Sequence, residues 1–166
     1  MFEIFYPDEY LDSAYEIDFY QLYEDGFRGV IFDIDNTLVP HGAPADERCI
    51  RMIHALKKMG FGVLVLSNNK KDRVEPFAKL CGIRYIAPAA KPLKRNYIKA
   101  MELLGTDKST TVFVGDQLFT DVWGAKRTGI PSILVKPLNS REEIQIVLKR
   151  FLEHIVLKQY DSYIKK

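Results

Sequence analysis

Short, wholly apolar runs alternate with stretches of helical period along this chain. Gly29 to Phe32, Phe61 to Leu66, Arg84 to Ala87, Thr110 to Val114 and Pro131 to Val135 read as strands. Between them the apolar residues recur every three or four positions. Ile50, Ile53, Leu56 and Met59 share one face of Asp46 to Met59, and Val74, Phe77, Ala78 and Cys81 share a face of the next segment; Gly60 and Gly82 stop the two helices. Residues 94–104 and 119–128 repeat the pattern up to Gly105 and Gly129. A last amphipathic helix is predicted over 140–158, entered at Arg141. Its stripe of Ile144, Val147, Leu148, Phe151, Leu152 and Ile155 is expected to pack on the sheet. Ile146 and Leu157 fall roughly opposite that stripe, a patch that could face a membrane or a second copy.

Strands that alternate with helices predict βαβ units and an α/β fold. The expected architecture is a three-layer α/β/α sandwich around a mostly parallel, Rossmann-like sheet, its strands apolar throughout because both faces are covered. No internal repeat and no Gly/Ser/Pro tract interrupts the pattern, so residues 1–166 are expected to form a single domain. With 166 residues, 47% hydrophobic and 28% charged, the chain is excluded from the disordered class and needs no disulfide or metal staple. The run Phe61 to Leu66 is too short to span a bilayer, and no basic-then-apolar leader is visible at the N-terminus. Two cysteines, Cys49 and Cys81, both in apolar-periodic segments, fit a reducing cytoplasmic compartment.

Charge adds an asymmetry. Residues 1–28 carry eight acidic groups against Arg28 alone, so the remainder is basic by +9 although the whole chain is only +2. The same segment holds nine of the twenty aromatic residues and is expected to cover an edge or face of the sheet. The basic body points to an anionic substrate or surface, with docking of the acidic segment on that body as the alternative.

In parallel sheets the ligand site lies beyond the carboxyl ends of the strands, and the candidate chemistry of this chain falls there. Asp33 and Asp35 leave the first strand run two residues apart. Two such carboxylates can divide labour as nucleophile and proton donor if their surroundings separate their pKa values, or they can be a solvated turn. Asn36 and Thr37 supply turn chemistry to hold the loop. Asp116 and Asp121 end another strand behind Gly115, where carboxylates from two strand ends can hold a hard cation such as Mg²⁺. Asp121 could alternatively cap the helix that follows. Ser67 and Lys91, a hydroxyl and an ammonium at two further strand ends, match the needs of a transferring phosphoryl group.

Asp33-Ile34-Asp35-Asn36-Thr37-Leu38, Ser67-Asn68-Asn69, Lys91-Pro92 and the run Gly115 to Val122 (GDQLFTDV) resemble, in order, the four motifs of the haloacid dehalogenase superfamily, subfamily IIIA. More narrowly, with Pro7-Asp8-Glu9-Tyr10, the chain resembles the YqeG family of small phosphatases, related to phosphatidylglycerophosphatases. The resemblance implies that Asp33 attacks phosphorus to form an aspartyl-phosphate and that Asp35 serves as acid and then base. It implies Mg²⁺ held by Asp33, the backbone carbonyl of Asp35 and Asp116, with Asp121 in or behind that shell. Ser67, Asn68 and Lys91 would bind the phosphoryl oxygens.

About ten residues separate Asp35 from the helix near Asp46, too few for an inserted cap domain. An open site suits a phosphate on something too large to enclose, and a neighbour covering the mouth of the site in a homo-oligomer is the competing explanation. Lys70, Lys71, Arg73, Lys94 and Arg95 are expected to form a basic rim. On the resemblance, the substrate is phosphatidylglycerophosphate at the cytoplasmic face of the membrane, an anionic lipid partner, with no nucleic acid expected. A soluble sugar phosphate, nucleotide or phosphoprotein is the alternative substrate. A phospho-acceptor switch is the rival of another class, and Asp35 argues against it because a long-lived switch needs no acid/base group there.

Overall fold

The computed structural model describes residues 2–139 and 144–165. Its strands are β1 (Glu9–Leu11), β2 (Gly29–Phe32), β3 (Gly62–Leu66), β4 (Arg84–Ile86), β5 (Thr111–Gly115) and β6 (Ser132–Val135). They form one six-stranded sheet in the order β1-β6-β5-β2-β3-β4, and every pair is parallel. The helices are α1 (Phe19–Glu24), α2 (Glu47–Met59), α3 (Lys71–Cys81), α4 (Lys94–Leu104), α5 (Trp123–Thr128) and α6 (Ile144–Ile164). The expected α/β/α sandwich is therefore present.

Side-chain alternation on β2 explains the layers. Val30 and Phe32 join Ile53 and Leu56 of α2 and Phe77 of α3 on one face. Ile31, between them, joins Tyr97 and Ala100 of α4 and Ala125 of α5 on the other. With both faces covered, all four β2 residues are buried, which is why the run carries no polar position. The chain builds β2, β3 and β4 outward in one direction, then crosses back to place β5 and β6 on the opposite side of β2. The order reverses between β2 and β5, and a crevice opens beyond their carboxyl ends.

The acidic, aromatic N-terminal segment covers the sheet edge by pairing. Its strand β1 aligns Tyr10 with Leu134 of β6. The Asp8 carboxylate accepts the Ser132 N–H at 2.8 Å, and Asp12 pairs with Lys136. Phe19 of α1 packs edge-on against Phe32 and Phe61.

Two expectations change. Residues 119–128 are not one α-helix: a π-helical turn over Leu118–Val122 precedes α5. The Tyr97 hydroxyl donates to the Thr120 carbonyl at 2.7 Å within that wider turn. It fits because Gly124 has no side chain; a Cβ there would collide with the Tyr97 ring.

The larger correction is α6. The stripe expected to pack on the sheet faces outward: Val147, Leu148, Phe151, Leu152 and Ile155 are all exposed. Glu153, Val156 and Tyr160 face inward instead. Val156 and Tyr160 pack with Tyr6, Leu118, Val122 and Leu134, and Leu157, expected on the opposite patch, packs against the same group. The reason is polar. The surface that α6 meets presents the Asp116 carboxylate and the Leu118 N–H, which take Arg150 and Glu153 as partners. Arg141 and the side chains of Ile144 and Ile146 lie outside the described residues. Among the described residues no helix is long and apolar enough to cross a membrane.

Candidate active site

Asp33 follows β2 directly and keeps its backbone in the ladder, its N–H donating to Val114 at 2.9 Å. Asp116 follows β5, the adjacent strand across the reversal. Asp121 returns to the same point from the π-helical turn. One of its oxygens accepts the N–H groups of Asp116 and Gln117, each at 3.1 Å. That return requires a glycine, because a Cβ on Gly115 would fall on the Asp121 carboxylate. The alternative cap role for Asp121 is thus replaced by a brace across its own loop.

Lys91 enters from the loop after β4. Its ammonium donates to Asp33 Oδ1 at 2.8 Å and to Asp121 Oδ1 at 2.6 Å, all three groups being buried. Burial pulls the Lys91 pKa down, but the charges of Asp121 and Asp33 outweigh it and hold the ammonium well above its usual range. Asp33 is pushed up to about 6 by burial, against the pull of Lys91, with the charge of Asp121 adding to the rise. Burial, then the charges of Asp33 and Asp121, raise Asp116 well above the usual carboxylate range, and Arg150 opposes them. Oxygen atoms of Asp33, Asp116 and Asp121 lie within 4.8 Å of one another.

Such an all-oxygen, buried set of mutually repelling carboxylates fits a hard divalent cation, whose charge would relieve that repulsion. Asp33 and Asp116 are the side chains suited to ligate it. Asp121 shares Lys91 with Asp33 and braces the Asp116 and Gln117 N–H groups, which places it in or behind that shell.

Asp35 sits differently. Its backbone bridges to Val39, and Asn36 between them takes the left-handed conformation at φ 63° that asparagine tolerates. Its carboxylate accepts the Gly42 N–H at 2.8 Å, the Arg73 guanidinium at 2.9 Å and the Asn69 amide at 3.3 Å. Burial raises the Asp35 pKa, yet the Gly42 N–H and Arg73 outweigh it and hold the group below the usual range. The surroundings of the two carboxylates therefore separate their pKa values, Asp33 upward and Asp35 downward.

Ser67, at the end of β3, is buried, and its hydroxyl accepts the Asn69 N–H at 3.1 Å. Asn68 grips the backbone of Lys91, accepting its N–H at 2.6 Å and donating to its carbonyl at 3.1 Å. This locks the loop that aims the ammonium, so the Asn68 amide acts on Lys91. Asp33, Asp35, Ser67, Asn68 and Lys91 line one open cleft of about 530 Å³, with His41, Gln117, Thr120 and Lys149 also on its walls.

Sequence reading missed two members. Arg73, read as part of the rim, is an inward partner of Asp35 and only 17% exposed. Arg150 of α6 donates to the Asp116 carbonyl and to its Oδ2, both at 2.5 Å. Glu153 backs Arg150 at 2.9 Å and accepts the Leu118 N–H at 2.9 Å. The signal available in sequence was an Arg and a Glu three residues apart on a helix otherwise rich in apolar residues. Thr37 completes the surroundings of Asp116, donating to Oδ1 at 3.1 Å.

A family profile for haloacid dehalogenase-like hydrolases matches residues 47–129, a span that begins after Asp33 and Asp35. The probable phosphatase YqeG of Bacillus subtilis (strain 168) is 35% identical over 156 residues, spanning 93% of this chain and 91% of the relative. A phosphatidylglycerophosphate phosphatase 1 of Arabidopsis thaliana, chloroplastic/mitochondrial, is 32% identical over 161 residues, 87% of this chain and 44% of that protein. Among solved structures, a HAD phosphatase from Thermococcus onnurineus superposes with a TM-score of 0.50 at 24% identity, over 60% of this chain and 50% of the other, a likeness of fold.

Proposed function

The chain belongs to the haloacid dehalogenase-like hydrolases and is a phosphatase of that family, and on that premise we propose that it hydrolyses phosphate monoesters through an aspartyl-phosphate on Asp33. The observation that carries this reading is the buried Asp33–Lys91–Asp121 cluster beside Asp116 at the strand-order reversal. Asp33 forms the bond to phosphorus as the ester oxygen leaves. Lys91, with the Ser67 hydroxyl, faces the charge of the phosphoryl oxygens. Water then attacks phosphorus and the acyl-phosphate bond breaks, returning Asp33 as a carboxylate. Mg²⁺ held by Asp33, Asp116 and the Asp35 carbonyl would supply fixed positive charge opposite the phosphoryl oxygens.

Asp35 is the acid/base in this scheme. Its resting contacts keep it ionised, ready to take the proton from the attacking water. To donate a proton to the leaving oxygen it must first loosen from Arg73, and an incoming phosphate dianion competes for that guanidinium. Asp35→Asn is expected to lower turnover by roughly 10² to 10⁴-fold. An aryl phosphate, whose leaving group needs little protonation, should lose less in a single-turnover measurement of enzyme phosphorylation than an alkyl phosphate. Equal losses in that measurement would remove Asp35 from the acid role.

Arg150 is proposed as the residue that orients Asp116 for the cation. Arg150→Met should raise the Mg²⁺ concentration needed for half-maximal turnover by about 10 to 100-fold. Arg150→Lys should recover only part of this, because one ammonium cannot span carbonyl and carboxylate as a guanidinium does. A Mg²⁺ requirement within twofold of wild type in Arg150→Met would leave Arg150 a structural residue only.

The proposed substrate is phosphatidylglycerophosphate, supported by the activity named for the Arabidopsis relative and by a cleft without an inserted cap: only residues 87–93 separate β4 from α4. The test is a turnover screen with and without Mg²⁺. It compares phosphatidylglycerophosphate in mixed micelles with glycerol 3-phosphate, phosphoglycolate and p-nitrophenyl phosphate. The lipid should exceed the soluble alkyl esters at least tenfold in kcat/KM. A preferred soluble ester would overturn the lipid assignment and leave the phosphatase chemistry standing.

A further inference from the structure

We propose that the outward apolar face of α6 seats the molecule on an anionic lipid surface, holding the open cleft against phosphorylated headgroups. The inference rests on the lipid-phosphatase reading above and adds the surface by which the substrate is met.

A helix that packs on a domain by default buries its apolar stripe. Here α6 buries Val156 and Tyr160 but leaves its longer apolar stripe outside. Its inward face carries Arg150 and Glu153, committed to Asp116 and to the Leu118 N–H. Outward it presents Leu148 and Phe151, 66% and 65% exposed, flanked by Val147, Leu152 and Ile155. The residues are spaced so that they form one contiguous arc over two and a half turns.

The position of this arc names its occupant. Lys149, within the same turns, lines the catalytic cleft, so the helix that carries the arc borders the mouth of the site. Leu93, 56% exposed, stands on the same carboxyl edge of the sheet. Lys70, Lys94 and Arg95 are exposed along that edge, and Lys158 lies exposed one turn beyond the arc. Apolar side chains framed by ammonium and guanidinium groups match an interface with acyl chains below and anionic headgroups around. A second copy of the chain is a poorer fit. In a two-fold pair the ammonium and guanidinium groups that frame this face would meet the same groups of the other copy, whereas an anionic surface compensates them.

The test uses the full chain and vesicles of equimolar phosphatidylcholine and phosphatidylglycerol, in low salt with Mg²⁺. Wild type should co-sediment, and Leu148→Gln/Phe151→Gln should bind at least tenfold more weakly. Turnover of p-nitrophenyl phosphate should stay within about twofold, since neither side chain touches the cleft. Three results would overturn the proposal: wild type remaining in the supernatant; equal vesicle binding by the variant, which would assign binding to the basic rim alone; or a wild-type dimer without vesicle affinity that the variant dissociates. Failure of the phosphatase reading is distinguishable, because it would appear as absent p-nitrophenyl phosphate turnover in wild type, whatever the vesicles show.

Discussion

Asp33→Asn is expected to reduce turnover of every phosphate ester by roughly 10⁴-fold or more, the scale on which loss of a nucleophile is felt, while the folded state survives. The amide is isosteric, and its oxygen can still accept from Lys91, whose other partner, Asp121, is untouched. Asp33 is costly as a buried anion, which is why burial and the charge of Asp121 push its pKa up to about 6. Neutralising it should therefore leave stability in urea unchanged or slightly raised. Turnover assays with urea unfolding check both halves. Activity above a few per cent of wild type would remove Asp33 as the nucleophile.

Lys91→Met should abolish turnover and also destabilise the fold by about 3–5 kcal/mol, the usual cost of stripping one partner from a buried ion pair. Met has nearly the same volume, so the loss arises from charge: Asp33 and Asp121 would face each other with no ammonium between them. The double variant Lys91→Met/Asp33→Asn removes one of the two stranded carboxylates and should recover a large part of the stability with no recovery of turnover. Urea midpoints for the single and double variants decide this. If the double variant is no more stable than Lys91→Met, the loss comes from packing rather than from uncompensated charge.

The site was legible to the extent that its chemistry is local in sequence. Asp33, Ser67 and Asp116 each stand just beyond an apolar strand run and Lys91 in the loop after β4, and a parallel sheet brings such ends together whatever the details of packing. Arg73 and Arg150 were not legible as site residues. A guanidinium on a long side chain reaches several carboxylates, and helical period does not say which one. Nor does spacing reveal that Asp35 is tethered by Gly42 and Arg73, since that depends on how the loop before α2 folds back.

β1 shows the same limit in the fold. Three residues, none buried, carry no periodic signal, and they become a strand only because β6 offers an unpaired edge at the right height.

Sequence by itself determined the α/β class, the central strands, the main helices and the carboxylates at the strand ends, because burial on both faces of a parallel sheet writes itself as uninterrupted apolar runs. It also determined that a helix rich in apolar residues closes the chain. Which face of α6 turns inward was decided by the tertiary structure alone. The surface beneath it holds a buried carboxylate and a backbone N–H that Arg150 and Glu153 satisfy, and an apolar group around Tyr6 and Leu134 that Val156 and Tyr160 join, none of which helical period alone reveals.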